Sequence, residues 1–238
     1  MKTIKISLFV ILQFFVFAAF GQTRVMVKTY DDFQLLKHID AGGRKNYLSE
    51  SDIDGSPYLN NEFVKGEVLT ENDVRYVGIP LRYNIYSDDI EFKTSSGQVL
   101  SIAFPGNIKE VKIGHDVFVY HLYFLSADRL NWGYFQLINT GKAEGLIGYR
   151  IIFQEAQPAL AYKDPQPPKF IPQPPYYFVS VDKKPAVRVQ TTKYLINLLG
   201  DHKKELESFA KKNHIKVRKL DDLRRILYYY NSLVEMKN

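Results

Sequence analysis

Asp88, Asp89 and Glu91 place three carboxylates within four positions, and paired carboxylates are what general acid–base work on a glycosidic bond requires. The spacing argues against that use. Neighbouring side chains on a strand point to opposite faces, and the trio coincides with the turn signal Ser87-Asp88-Asp89. No GxSxG elbow, glycine-rich phosphate loop or cysteine nucleophile is present, so hydrolase and nucleotide chemistry have no anchor. Catalytic residues, cofactors and metals are accordingly not expected.

The run Glu50-Ser51-Asp52-Ile53-Asp54-Gly55 approaches a calcium loop, with acidic oxygens at alternating positions before a glycine. Position 12 should hold a bidentate glutamate, but Asn61 stands there and Glu62 comes one residue late. A polar turn entering the first strand is the better account. The histidines at 38, 115, 121, 202 and 214 show no metal spacing. His115 and His121 could share a strand face, but six residues of strand set them roughly 20 Å apart. Phe118, Tyr120, Phe124, Trp132, Tyr134 and Phe135 form an aromatic concentration that could line an apolar cavity, although core packing explains it as well.

The elements carrying these residues read as strands. Segments 63–70, 81–86, 90–94, 99–104, 110–113, 116–124, 132–139 and 146–153 are rich in β-branched and aromatic residues and bounded by turn signals. Strands joined by tight turns make an antiparallel meander. In 81–86, Leu81, Tyr83 and Ile85 fall on one face and Arg82, Asn84 and Tyr86 on the other, which predicts a half-exposed sheet. Segment 117–124 is apolar on both faces except for His121 and is expected to be central.

Seven of the 11 prolines lie in 157–175, which predicts an extended linker or strap outside any regular element. A hairpin over 176–189 and three short helices follow, with Thr192, Asp201 and Asp221 as expected caps. Leu223, Ile226, Leu227, Tyr230 and Leu233 form a helical stripe expected to pack on Leu195, Leu198, Leu199, Leu206 and Phe209. The fold class is α+β: a mainly antiparallel meander, as half-barrel or sandwich, then a small C-terminal hairpin and three-helix unit. The expected division is 1–21 leader, 22–156 β-rich domain, 157–175 strap, and 176–238 hairpin with basic helices.

Lys2 and Lys5 precede an apolar run over 6–20, and Ala19-Phe20-Gly21 offers a cleavage site, so a secretion signal is expected. That run is shorter than the roughly 20 residues a membrane span needs. With no cysteine, disulfides are impossible and stability must come from a core that is 45% hydrophobic and 14% aromatic by composition. Charge is asymmetric. Residues 180–238 hold 14 basic against 7 acidic residues, whereas 22–179 hold 16 against 19. Such a tail suits an acidic partner, an envelope component or protein, through Lys203, Lys204, Lys211, Lys212, Arg224 and Arg225. Nucleic acid is not expected of an exported chain.

The segments Asp54-Gly55-Ser56-Pro57-Tyr58-Leu59-Asn60, Pro80-Leu81-Arg82-Tyr83-Asn84-Ile85-Tyr86, Gly133-Tyr134-Phe135-Gln136-Leu137 and Leu227-Tyr228-Tyr229-Tyr230-Asn231-Ser232-Leu233 together resemble a group of secreted Bacteroidota proteins of unknown function. The resemblance implies an exported β-rich protein of a two-membrane envelope, in periplasm or at the surface, and brings no activity or site residues. The function expected is that of a non-enzymatic binding or interaction module. A lipid or lipoprotein carrier and an envelope-glycan enzyme are the alternatives. Protein recovered from an envelope fraction should begin at Gln22, and an intact mass that includes residues 1–21 would remove the export argument.

Overall fold

A computed structural model describes residues 26–28, 53–158 and 164–236, so the expected leader lies outside the described residues. The strands are β1 (Met26–Lys28), β2 (Val64–Thr70), β3 (Val74–Asn84), β4 (Asp89–Lys93), β5 (Val99–Ser101), β6 (Ile108–Ile113), β7 (Asp116–Ser126), β8 (Arg129–Asn139), β9 (Ala143–Gly148), β10 (Ile151–Gln154), β11 (Lys169–Pro172), β12 (Tyr176–Val181) and β13 (Val187–Arg188). Three helices follow: α1 (Thr192–Leu199), α2 (Lys203–Lys212) and α3 (Leu220–Glu235). The order is α+β, as the sequence leads one to expect.

The main sheet runs β13-β12-β9-β8-β7-β6-β2-β3-β4-β5, with β1 added parallel to the start of β3. It is not a simple meander. After β5 the chain returns to lay β6 against the free edge of β2, a Greek-key-like connection. Strand β3 starts well before the expected position 81. Gly78, at φ 74°, is the extra residue of a bulge against Gly66 and Glu67, and Pro80 lies between the stretches paired to β1 and β4, where its missing N–H costs no ladder bond.

Strands β7 and β8 carry side chains into two different cores. Phe118 and Tyr134 join Val68, Ile79, Leu81, Tyr83, Ile90 and Val111 on one face. Phe135 joins Leu146, Phe178 and Ala186 on the other, flanked by Val119, Tyr123 and Tyr176. This second cluster is wrapped. Phe124 N donates to Ala186 O (2.9 Å) and Ala186 N to Leu122 O (2.8 Å), so the turn between β12 and β13 comes round to β7. Strands β7, β8, β9 and β12 and that turn thus form a ring about the aromatic cluster.

The helices cover β9 and β12 from outside. Leu223, Ile226, Leu227 and Tyr230 are fully buried against Leu195, Leu199 and Leu206, as the stripe predicts, but the same core includes Ile138, Ala143, Ile147, Val179 and Val189 of the sheet and its exit. The hairpin and helices therefore share a core with the β domain. The caps differ from expectation. Thr191, not Thr192, accepts from Tyr194 N (3.2 Å), while Thr192 Oγ1 donates to Ile215 O (3.0 Å). Asp201 pairs with Lys142 (3.0 Å), and α3 begins at Leu220, which places Asp221 and Asp222 in its first turn.

Two further expectations are corrected. Tyr86 is 52% exposed as expected, but Arg82 and Asn84 on the same face are covered: segment 57–59 pairs with β3 (Leu59 N to Tyr83 O, 3.0 Å; Ile85 N to Pro57 O, 2.8 Å) and brings Tyr58 over Arg82, leaving Asn84 only 8% exposed. The strap is also partly regular. Residues 169–172 pair with β10, Phe170 is buried, and its N–H donates to Asp54 O (2.8 Å). Phe170 and Ile171 supply the donors that the prolines around them lack.

Asn231 ties α3 to the β8–β9 turn. Its Oδ1 accepts from Ala143 N (2.9 Å) and its Nδ2 donates to Ala143 O (2.9 Å) and Thr140 O (3.1 Å). Gly141 is required beneath it, since a Cβ there would lie 2.4 Å from Asn231 Nδ2. Asn231→Ala would take the acceptor from the buried Ala143 N–H, while Asn139 still serves the two carbonyls, and should lower unfolding stability by about 1–3 kcal/mol. Urea titration measures this, and an unchanged midpoint would refute the docking role.

Candidate functional site

The loop from β3 to β4 carries Asp88 at φ 57°, a left-handed conformation that aspartate tolerates better than most residues, and Asn84 Oδ1 steadies the loop by accepting from Ser87 N (3.1 Å). This loop reaches across the sheet. Asp88 Oδ1 accepts from Tyr83 Oη (2.7 Å), and both carboxylate oxygens lie within reach of Tyr134 N (3.2 and 3.3 Å). The pairing of β8 with β9 ends at Gln136 and Ile147, so the Tyr134 amide beyond it donates to a carboxylate instead of a strand.

Two glycines make room at this junction. A Cβ on Gly133 would stand 2.8 Å from Asp88 Oδ2, and one on Gly148 would stand 3.1 Å from both Phe135 and Phe178. Above them opens a cleft of about 510 Å³. Its walls are Tyr123, Phe135, Tyr149, Tyr176 and Phe178, with Asp88, Arg150 and Arg188 as its charged members. Tyr123, Phe135 and Phe178 meet edge to face, with centroids 5.1–5.5 Å apart. Tyr149 and Arg150 stand where the chain breaks between β9 and β10, a break that falls inside the single strand expected over 146–153.

Burial pushes the Asp88 carboxyl up to about 6, the bonds from Tyr83 and Tyr134 hold it lower than burial alone would, and the nearby Asp89 charge adds to the rise. Burial first, then the Asp88 charge, raise the Tyr83 and Tyr134 phenols well above their ordinary range. Tyr134 Oη has no hydrogen-bond partner among the described residues. At the other end the field is positive. The Arg188 guanidinium lies 3.5 Å from the Tyr176 ring centroid, and Arg150 Nη1 donates to Tyr176 Oη (3.4 Å), a bond that lowers the Tyr176 phenol. Among the described residues neither arginine has a carboxylate within ion-pair distance.

The carboxylate trio does not converge. Glu91 is held by Arg82 (2.8 Å) and by Asn84 Nδ2 (3.0 Å), and Arg82 is itself packed over Tyr58 (3.5 Å) and Phe63 (4.4 Å). Asp89 sits in β4 opposite Asn84. In the near-calcium loop, Asp54 bonds through its backbone to Pro168 and Phe170, and Ser56 Oγ donates to Asn61 Oδ1; Glu50 to Asp52 lie outside the described residues. The described histidines occupy separate places: the β6–β7 turn, β7, and the two ends of α2. His38 is not described. Among the described residues no group of three acidic or histidine side chains could hold a metal.

The aromatic concentration is divided. Phe118 is core, buried Tyr134 and Phe135 and exposed Phe124 border the cleft, and Trp132 stacks on Tyr120 (5.5 Å, 13°) while remaining 51% exposed. The basic residues also separate. Lys203 and Lys204 lie at the start of α2, with Lys211 and Lys212 at its end, where the helix dipole favours cations. Arg225 joins that second group through Asn213 (2.7 Å), and Arg224 and Arg225 lie 3.4 and 3.6 Å from Asp221 and Asp222. Among the described residues no helix is long and apolar enough to cross a membrane. No protein-family model, curated protein or solved structure matches the chain.

Sequence reasoning did not single out Tyr123, Tyr149, Tyr176, Arg150, Arg188, Gly133 or Gly148. Glycine inside strands was the available signal, since it marks close approach of another group. Asp88→Asn tests the electrostatics. Because the folded carboxyl is raised above its ordinary value of 3.8, the native state carries a penalty that is full above about pH 6 and gone below pH 3.8. Asparagine keeps an acceptor for Tyr83 and Tyr134. The variant should gain about 1–2 kcal/mol at pH 8, discounted for the partial exposure of Asp88, and the gain should vanish near pH 4. A pH-independent difference between the two unfolding curves would contradict the assignment.

Proposed function

We propose that this protein is an exported, non-enzymatic binding module of the cell envelope, and that its ligand enters the tyrosine-walled cleft between β8, β9, β12 and the β3–β4 loop. The observation that carries this reading is the cleft's preorganisation. Tyr149 Oη donates to Gln136 Oε1, Arg188 stacks on Tyr176, and Asp88 is held by two donors, so few side chains must be ordered when a ligand arrives. The polar groups converge on a largely aromatic hollow whose volume is within the range of small-ligand sites, about 300–1,000 Å³. Asp88 accepts from Tyr83 and Tyr134 and stands among the lining of the cleft. The exposed lysines of α2 provide a second contact for an acidic envelope component.

A carrier function has one observation in its favour. A separate hollow of about 330 Å³ lies among Val74, Tyr76, Phe92, Leu100, Ile102 and Phe104, where the first half of the sheet opens.

Both readings are tested on the full exported chain. Saccharide, peptide and lipid fractions of envelope extract are titrated while backbone and aromatic NMR signals are followed, and natively purified protein is weighed by native mass spectrometry. Shifts of Gly133, Gly148 and Tyr176 with one fraction support the cleft. Shifts confined to other surfaces overturn it, and retained lipid with shifts at Leu100 and Phe104 favours the carrier.

A further inference from the structure

The walls and charges of the cleft specify more than an occupant. Arg150 and Arg188 converge on a single phenol at its mouth, and among the described residues no carboxylate neutralises them. Two guanidiniums brought to one ring repel each other, and an anion lying between them removes that repulsion while accepting bidentate hydrogen bonds. Deeper in, half-buried Tyr123 and Tyr149 line the hollow together with the buried Phe135 and Phe178, and Asp88 carries a carboxylate acceptor.

We infer that the cleft binds an acidic saccharide, with the sugar's carboxylate on Arg150 and Arg188, its apolar C–H face against Tyr176 and Tyr123, and its hydroxyls turned toward Asp88. This rests on the reading that the cleft is the ligand site. A sugar fits where other classes do not. Its two faces are apolar and its rim is made of hydroxyls that donate as well as accept, which matches aromatic walls around a carboxylate acceptor. An acyl chain could set a carboxylate on the arginines but would bury the Asp88 carboxylate against methylenes that offer it no donor. A ligand anionic at both ends would set one charge against the Asp88 carboxylate. The two charged ends of the cleft thus fix the ligand's direction: anion outward, hydroxyls inward.

The test titrates the full exported chain with oligoglucuronate, its carboxyl-reduced neutral counterpart and glucose 6-phosphate, by calorimetry and by NMR shifts at Gly133, Gly148 and Tyr176. Oligoglucuronate should bind at least about tenfold more tightly than the neutral form, and Arg150→Gln with Arg188→Gln should abolish that preference. Arg150→Lys, which keeps the charge, should retain part of it and guards against a variant that simply misfolds. Lys93→Gln, an exposed lysine at the end of β4, should change nothing at these signals. Tighter binding of glucose 6-phosphate than of oligoglucuronate would replace the carboxylate by a phosphate and overturn the assignment. Equal binding of acidic and neutral oligomers in the cleft would overturn the anion while leaving the cleft as the ligand site. Shifts confined to α2 and α3 would overturn both.

Discussion

Strand β8 buries Tyr134 on one face and Phe135 on the other, β7 adds buried Phe118 to the first and half-buried Val119 and Tyr123 to the second, and in a chain without cysteine this two-sided packing is what fixes the two halves of the sheet against each other. On one side Phe118 and Tyr134 draw in β2, β3, β4 and β6, so that half of the sheet closes over the face they occupy. On the other, Phe135 and Tyr123 draw in Phe178 and Ala186, so the remaining half packs on the opposite face. A sheet packed on opposite faces in its two halves leaves a seam where the two clusters meet. The cleft lies at that seam, with Tyr83, Tyr134 and Tyr149 from one side and Tyr123, Phe135 and Phe178 from the other.

Backbone groups stranded by this geometry are satisfied by side chains, and these contacts set the positions of whole elements. Asp88 takes the Tyr134 amide where β9 has departed, and thereby pins the β3–β4 loop to β8. Asn139 and Asn231 divide the groups of the β8–β9 turn between them: Asn139 Oδ1 accepts from Gly145 N (3.0 Å), and both amide groups donate to Ala143 O (2.8 and 2.9 Å). Buried amides on the helix side are neutral and cost little to satisfy. On the cleft side the acceptor is a carboxyl in a desolvated place, a costlier choice, and a chain selected for stability alone would be served as well by asparagine there.

Much of the order of elements could be read because alternation and turn residues are local signals. The stripe from Leu223 to Tyr230 and the strands around Val111 and Phe118 lie where periodicity puts them. What could not be read depends on distant partners. Nothing near Arg82 indicates that Tyr58 and Phe63 will cover it, so its face looked solvated. The prolines around Phe170 masked a strand whose donors are spent on Asp54 and β10, more than a hundred residues away in the first case. The cleft was hidden for the same reason. Tyr149 and Tyr176 are ordinary strand aromatics until Gly148 lets Phe135 and Phe178 close in, and Arg150 and Arg188 looked like scattered surface charge until the ring brought both to Tyr176.

The placement of charge in the cleft follows from that same ring closure. Strand β12 lies between β9 and β13, so residues following the end of β9 and those on β13 flank Tyr176 from its two sides, and Arg150 and Arg188 occupy those places. Asp88 comes from the other half of the sheet and enters at the far end, over Gly133. If either cluster came apart, the opposite charges would no longer face each other across the aromatic walls. Positive and negative ends are therefore held apart by the fold itself, with tyrosine and phenylalanine rings between them.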